Sequence, residues 1–210
     1  MRPYCLTFAA VFVLATLACS GPSGDATGSP GVQVGQDTLP AAGAAYHGDA
    51  PHLFFGGTVE LTCSSHGNFT SAVAPPTTQG GTATSDYFAT FEGQLVLSPP
   101  LVAATVTYPL SLQVHMVEQI TLAATQGAMR TFDTELLTFE LGGSSAPAGV
   151  MLRESPTIAS IGRTTITTLS GGQYRIESFY DVWLEISLDG GGTWQPAEGV
   201  VRMTLGPATP

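Results

Sequence analysis

Three acids, Glu177, Asp181 and Glu185, share one phase of a single segment, interleaved with Phe179 and Trp183. Two carboxylates facing each other across about 5–9 Å can cleave a glycosidic bond. Positions i and i+4 of one strand lie about 13 Å apart, so these acids cannot form such a pair without a second strand. They read as a solvated strand face. With its two aromatic rings this face is a possible binding face for carbohydrate, or for calcium, which takes several hard oxygen ligands. No Asp-x-Asp-x-Asp-Gly loop supports calcium, and no other cofactor is expected. His47, His52, His66 and His115 show neither His-x-x-x-His nor His-Glu-x-x-His spacing and are expected at the surface. In the segment 58–63 the odd positions are apolar, which predicts Cys63 on the core side of a strand as a small hydrophobe. No zinc spacing, nucleophile elbow, phosphate loop or dinucleotide fingerprint occurs, so no catalytic or metal-ligating residue is assigned and the chain is not read as an enzyme.

Ser187, Asp189, Gly191, Thr193 and Trp194 form the pattern Ser-x-Asp-x-Gly-x-Thr-Trp. It resembles the Asp-box of sialidases and related β-propellers, a hairpin device. The carboxylate accepts backbone N–H groups across the turn, the glycines permit positive φ, and the tryptophan packs under the hairpin. One copy in a chain of this length does not make a propeller, and the motif is taken as a structural turn.

These residues must be held by strands. Candidate strands run over 57–64, 86–97, 110–122, 130–141, 150–153, 161–169, 174–188 and 199–205, separated by Gly- and Pro-containing turns. The clearest is 110–122, where Leu110, Leu112, Val114, Met116, Ile120 and Leu122 share one face. Glu118 interrupts that face and marks either a bulge or the strand's emergence from the core. Ser85-Asp86-Tyr87-Phe88 and Ser178-Phe179-Tyr180-Asp181 each open a strand, a similarity too short to establish a repeat. No helical period follows residue 20. The fold class is therefore all-β, an antiparallel β-sandwich or open barrel.

The N-terminus places the protein. Met1-Arg2, an apolar run to Leu17, and then Ala18-Cys19 read as an export signal over 1–18 with a lipobox-like end. The run is shorter than the roughly 20 residues that span a bilayer. Cys19 is then the lipidation site and the membrane anchor, with cleavage after Ala18 and plain secretion as the alternative. Residues 19–45, rich in Gly, Ser, Pro and Ala, read as a lipidated tether. A single domain follows over 46–206, with a tail at 207–210. All sixteen Asp and Glu follow Cys19 but only five arginines do, and lysine is absent, leaving a net charge of −11. Such a surface repels phosphates, so nucleic acid is not an expected partner, whereas envelope polysaccharide or protein is. After signal removal Cys19 and Cys63 permit at most one disulfide.

Four segments in order, Phe132 to Leu137, Arg153 to Thr157, Gly171 to Trp183 and Ser187 to Trp194, together resemble an uncharacterised family of exported bacterial surface proteins. Many members end in a Pro-Glu-Pro sorting segment, an apolar helix and a basic tail. The resemblance spans roughly 85–205 and implies an extracellular β-rich domain, with no activity attached. This chain ends at Gly206-Pro207-Ala208-Thr209-Pro210 without the sorting helix, so the N-terminal lipid would take the anchor's place. The expectation is a non-enzymatic, lipid-anchored domain of the bacterial cell envelope, at the outer membrane or cell surface, with a structural or adhesive role. The alternative is an extracellular carbohydrate- or calcium-binding module.

Overall fold

Alternation along the long strands decides which side of the wall each residue faces. The computed structural model describes residues 31–142 and 146–208. Its strands are β1 (Val32–Val34), β2 (Ala44–Gly48), β3 (His52–Phe54), β4 (Val59–Gly67), β5 (Thr82–Leu97), β6 (Val106–Gln126), β7 (Met129–Gly142), β8 (Met151–Glu154), β9 (Ser160–Thr168), β10 (Tyr174–Val182), β11 (Leu184–Ser187), β12 (Gln195–Pro196) and β13 (Val201–Pro207). On β6 every even residue from Leu110 to Leu122 is buried. The odd positions Ser111, Gln113, His115, Gln119 and Thr121 stay at least half-exposed or partly so, giving the wall a dry and a wet face.

Strands β2, β4, β5, β6, β7, β9, β10 and β13 pair antiparallel in chain order, and β13 returns to β2. The result is a closed eight-stranded up-and-down barrel with extra strands, the all-β fold expected from the sequence. Closure removes the free edges that a sandwich would leave. Tyr87, Tyr180, Phe54, Phe91, Phe132 and Phe139 are among the largest fully buried side chains, and they fill the interior. A barrel of this size is just wide enough for such packing. The outer wall carries mostly polar residues, with Phe88, Leu137 and Ile161 its most exposed large apolar ones.

β7 divides its pairing. Met129–Leu136 lies against β9, whereas Glu140 pairs with Arg153 of β8. The division falls at a bulge, where Leu137 is the extra residue opposite the Val117/Glu118 step of β6. The bulge anticipated at Glu118 is therefore on the partner strand: β6 keeps its alternation through Glu118, which neither bulges nor leaves the core and is 2% exposed. Beyond it, β8, β11 and β12 form a small side sheet standing off the barrel.

Three sequence expectations shift. Residues 31–45 are not a tether: β1 pairs with β10, Leu39 bridges Val73, and Leu39, Ala41 and Ala44 are buried. Composition hid this because only a few apolar residues in the segment reach the core. The segment 174–188 is two strands, not one. The chain turns at Trp183, whose N–H donates to Ser160 Oγ at 3.0 Å and whose carbonyl accepts from Ser155 N at 2.8 Å. β10 then stays in the barrel and β11 joins the side sheet. Finally, a bulge at Cys63 and Ser64 shifts the phase of β4, with Cys63 at φ +52°. Val59 and Leu61 face inward before it, Ser64 and His66 after it. Cys63 is therefore partly exposed rather than in the core, and His66 is buried rather than at the surface.

Candidate functional site

The five residues of the predicted acidic face do not share one surface. Glu177, Phe179 and Asp181 lie on the outer wall of β10, all half-buried. Trp183 sits at the corner between β10 and β11, and Glu185 is buried in the side sheet, 8% exposed. The acids are also matched. Arg175 pairs with Glu177 at 2.9 Å. Arg202 donates two bonds of 2.8 Å to Asp181 and covers the Phe179 ring at 4.1 Å. Arg153 pairs with Glu185 at 2.7 Å. Arg202 holds the Asp181 carboxyl below its usual range, chiefly through these hydrogen bonds. Arg163 with Asp133 and Arg130 with Asp37 complete the set, so all five arginines beyond the signal are engaged by carboxylates. A hollow of about 550 Å³ beside this face is lined by Gln119, Glu135, Ile161 and Phe179, together with the paired Asp133, Arg163 and Asp181.

The Ser187–Trp194 turn has the bonding its sequence implied. Asp189 Oδ1 accepts from Ser187 Oγ and from Thr193 N, and Oδ2 accepts from Thr193 Oγ1, each at 2.8 Å. Gly191 N donates to Ser187 Oγ at 2.8 Å, and Gly191 adopts φ +92°. The donors around Asp189, Thr193 first, push its carboxyl down to about 2. Trp194 Nε1 donates to Gly191 O at 3.1 Å, which fixes the indole to the turn. With both carboxylate oxygens engaged inside the turn, Asp189 is poorly placed to hold calcium. Among the described residues no group of three or more His, Cys, Asp or Glu is arranged for a metal ion.

The turn delivers Trp194 to a groove of about 780 Å³ between the barrel wall and the side sheet. Phe88 of β5, His115 of β6, Glu140 of β7 and Arg153 of β8 are successive cross-strand partners along its floor. Gln113, Met151 and Trp194 complete the lining. Phe88 is 48% exposed and Met151 43%, large apolar side chains left open in a concave surface. The rings are held in place. His115 Nε2 bonds Asp86 Oδ1 at 2.9 Å, and its ring lies 5.0 Å from that of Phe88. Arg153 lies 3.9 Å from the Trp194 ring centroid while its Nε and Nη2 donate to Glu185 Oε2. Ser155 Oγ donates to the other Glu185 oxygen at 3.2 Å. Sequence reasoning found Trp194 here and missed the rest. A usable signal was present: Phe88 is the one large apolar residue in the wet phase of Asp86-Tyr87-Phe88-Ala89-Thr90.

A second polar cluster lies sealed in the barrel. Tyr180 OH donates to Glu118 Oε1. Burial pushes the Glu118 carboxyl up to about 7, against the lowering effect of Tyr180 and Tyr87. Tyr87 makes no well-formed hydrogen bond through its hydroxyl. Tyr46 OH donates to Ser178 Oγ at 2.9 Å, and its ring stacks on His66 at 4.9 Å. Burial drives His66 down to about 3 and His52 down to about 4, so both are neutral, and neither ring has a hydrogen-bond partner. These two histidines correct the surface expectation, whereas His115 is half-exposed on the wall as read from the sequence. The two segments 85–88 and 178–181 noted in the sequence bring Tyr87 and Tyr180 into the interior near Glu118, and Tyr180 makes the hydrogen bond.

Cys63 is disulfide-bonded. The other cysteines, Cys5 and Cys19, lie outside the described residues, as do the signal and the lipidation site. No family model, no curated protein and no solved structure matches this chain.

Proposed function

We propose that this chain is an exported domain of the bacterial cell envelope, anchored by lipid at Cys19, that acts through non-covalent structural or adhesive contact rather than catalysis. The engagement of the candidate carboxylates carries the reading. Glu177, Asp181 and Glu185 each hold an arginine, and Asp189 ties its own turn. Such acids brace a surface, whereas general acid–base work needs a carboxyl open to substrate. Glu118, raised toward neutrality, is walled in by aromatic rings. The signal-like residues 1–18 and the polar outer wall support a domain that is exported and attached from outside the bilayer. Two or more acyl chains at one cysteine give a durable anchor, where one alone is marginal.

One observation favours a second reading, free secretion. Cys63 is disulfide-bonded, and only Cys5 and Cys19 can supply the other sulfur. A sulfur in a disulfide cannot carry a thioether lipid. Detergent phase partitioning with intact mass of wild type and Cys19→Ser in a bacterial host separates the two. Wild type in the detergent phase with a diacylglycerol mass on Cys19, and the variant in the aqueous phase, supports the anchored form. Both aqueous, with a Cys19–Cys63 bridge in the wild type, overturns the anchor and leaves a secreted domain.

A further inference from the structure

We propose that the groove between the barrel wall and the side sheet is a binding site for a neutral saccharide. This deepens the adhesive reading above and rests on it.

Charge excludes other occupants. Arg153 at the groove is compensated by the buried Glu185, and His115 is hydrogen-bonded to Asp86. Glu140 adds a negative charge. An anionic ligand such as a nucleic acid, phosphate or uronate polymer meets no uncompensated cation there, and the chain's net charge opposes its approach. A lipid tail would leave the Gln113 amide and the Glu140 carboxylate desolvated without compensation. A neutral sugar ring matches both kinds of lining. Its C–H faces suit Phe88, Met151 and Trp194, and its hydroxyls suit the Gln113 amide, which donates and accepts, and the Glu140 carboxylate, which accepts.

Rigidity is the second argument. Trp194 is bonded through its ring nitrogen to its own turn and backed by an arginine that a buried carboxylate clamps. His115 is fixed by Asp86 against Phe88. Rings held this way lose little freedom when a ligand arrives, which is how an open groove gains affinity.

The test is affinity electrophoresis of the processed chain through gels containing a neutral β-glucan, xylan, galactomannan or α-glucan, with an anionic polyuronate as comparison. Wild type, Phe88→Ala, Gln113→Ala and Phe179→Ala are compared, thermal melts confirming the fold. The expected result is retardation by at least one neutral polymer and not by the polyuronate. Phe88→Ala then weakens binding about tenfold, as loss of one stacking ring should, Gln113→Ala weakens it less, and Phe179→Ala leaves it unchanged. No retardation by any neutral polymer, equal retardation by the polyuronate, or loss in Phe179→Ala but not in Phe88→Ala overturns the site. Sedimentation with purified envelopes separates this failure from that of the adhesive reading. Envelope binding that is equal in wild type and Phe88→Ala leaves adhesion standing and removes the groove. Absence of envelope binding removes both.

Discussion

The Tyr180 hydroxyl donates to Glu118 inside a closed barrel, giving the carboxyl a hydrogen-bond partner where it is 2% exposed. Burial raises the Glu118 pKa from 4.5 to about 7. The folded state therefore holds the proton more tightly than the unfolded chain. Stability from this group is full below pH 4.5 and falls as pH rises toward 7. Glu118→Gln keeps an acceptor for Tyr180 and never ionises. Urea unfolding should show the variant near wild type at pH 4.5 and ahead of it by about 3 kcal/mol above pH 7.5. A difference independent of pH would show that Glu118 stays ionised in the fold.

His66 has the opposite slope. Its folded pKa is lowered from 6.5 to about 3, by burial first and by His47 second. The unfolded chain takes up the proton first, so stability is full above pH 6.5 and declines as pH falls. Phenylalanine at this position keeps the stack on Tyr46 and removes two unpartnered ring nitrogens. His66→Phe should gain on wild type by about 2 kcal/mol between pH 6.5 and pH 5. In wild type the rising contribution of His66 and the falling one of Glu118 overlap between pH 4.5 and 6.5. Each variant exposes the slope that the other conceals.

Gly162 sets how close β9 and β10 approach. A Cβ there would lie 2.2 Å from Phe179 O and 2.8 Å from both the Tyr180 ring and Thr134 Oγ1. The first of these is backbone and cannot swing away. Gly162→Ala should cost about 2–4 kcal/mol, read as a lowered melting temperature. Gly35→Ala, whose nearest neighbour is Gln173 Nε2 at 4.0 Å, should stay within about 0.5 kcal/mol of wild type. Equal effects at the two positions would mean that the close strand approach is not rigid.

Strands were legible wherever apolar alternation ran unbroken, as from Leu110 to Leu122 on β6. Closure was not, because the β13–β2 pairing joins residues 44–48 to 203–207, and nothing local marks it. Phase errors had local causes. The bulge at Cys63 exchanged the environments of Cys63 and His66, and the corner at Trp183 separated Glu185 from Glu177 and Asp181. The Ser187–Trp194 turn was readable because its bonds run between residues two to four apart. The groove that Trp194 enters was not, since its lining comes from β5, β6, β7 and β8, and β8 joins β7 only beyond the split in pairing at Leu137.

That turn carries the last prediction. Asp189 accepts from Ser187 Oγ, Thr193 N and Thr193 Oγ1, and Thr193 stands next to Trp194. Asp189→Ala removes all three bonds but leaves the barrel strands untouched. Amide exchange should accelerate at Thr193 and Gly191 while barrel amides keep their protection. Tryptophan anisotropy in a Trp183→Phe background, which isolates Trp194, should fall. The carboxyl is held down to about 2, so in the wild type this order persists through pH 4 and fades only as pH drops toward 2. Unchanged Thr193 exchange in Asp189→Ala would mean that the glycine backbone alone fixes the turn, and that the position of Trp194 owes nothing to the aspartate.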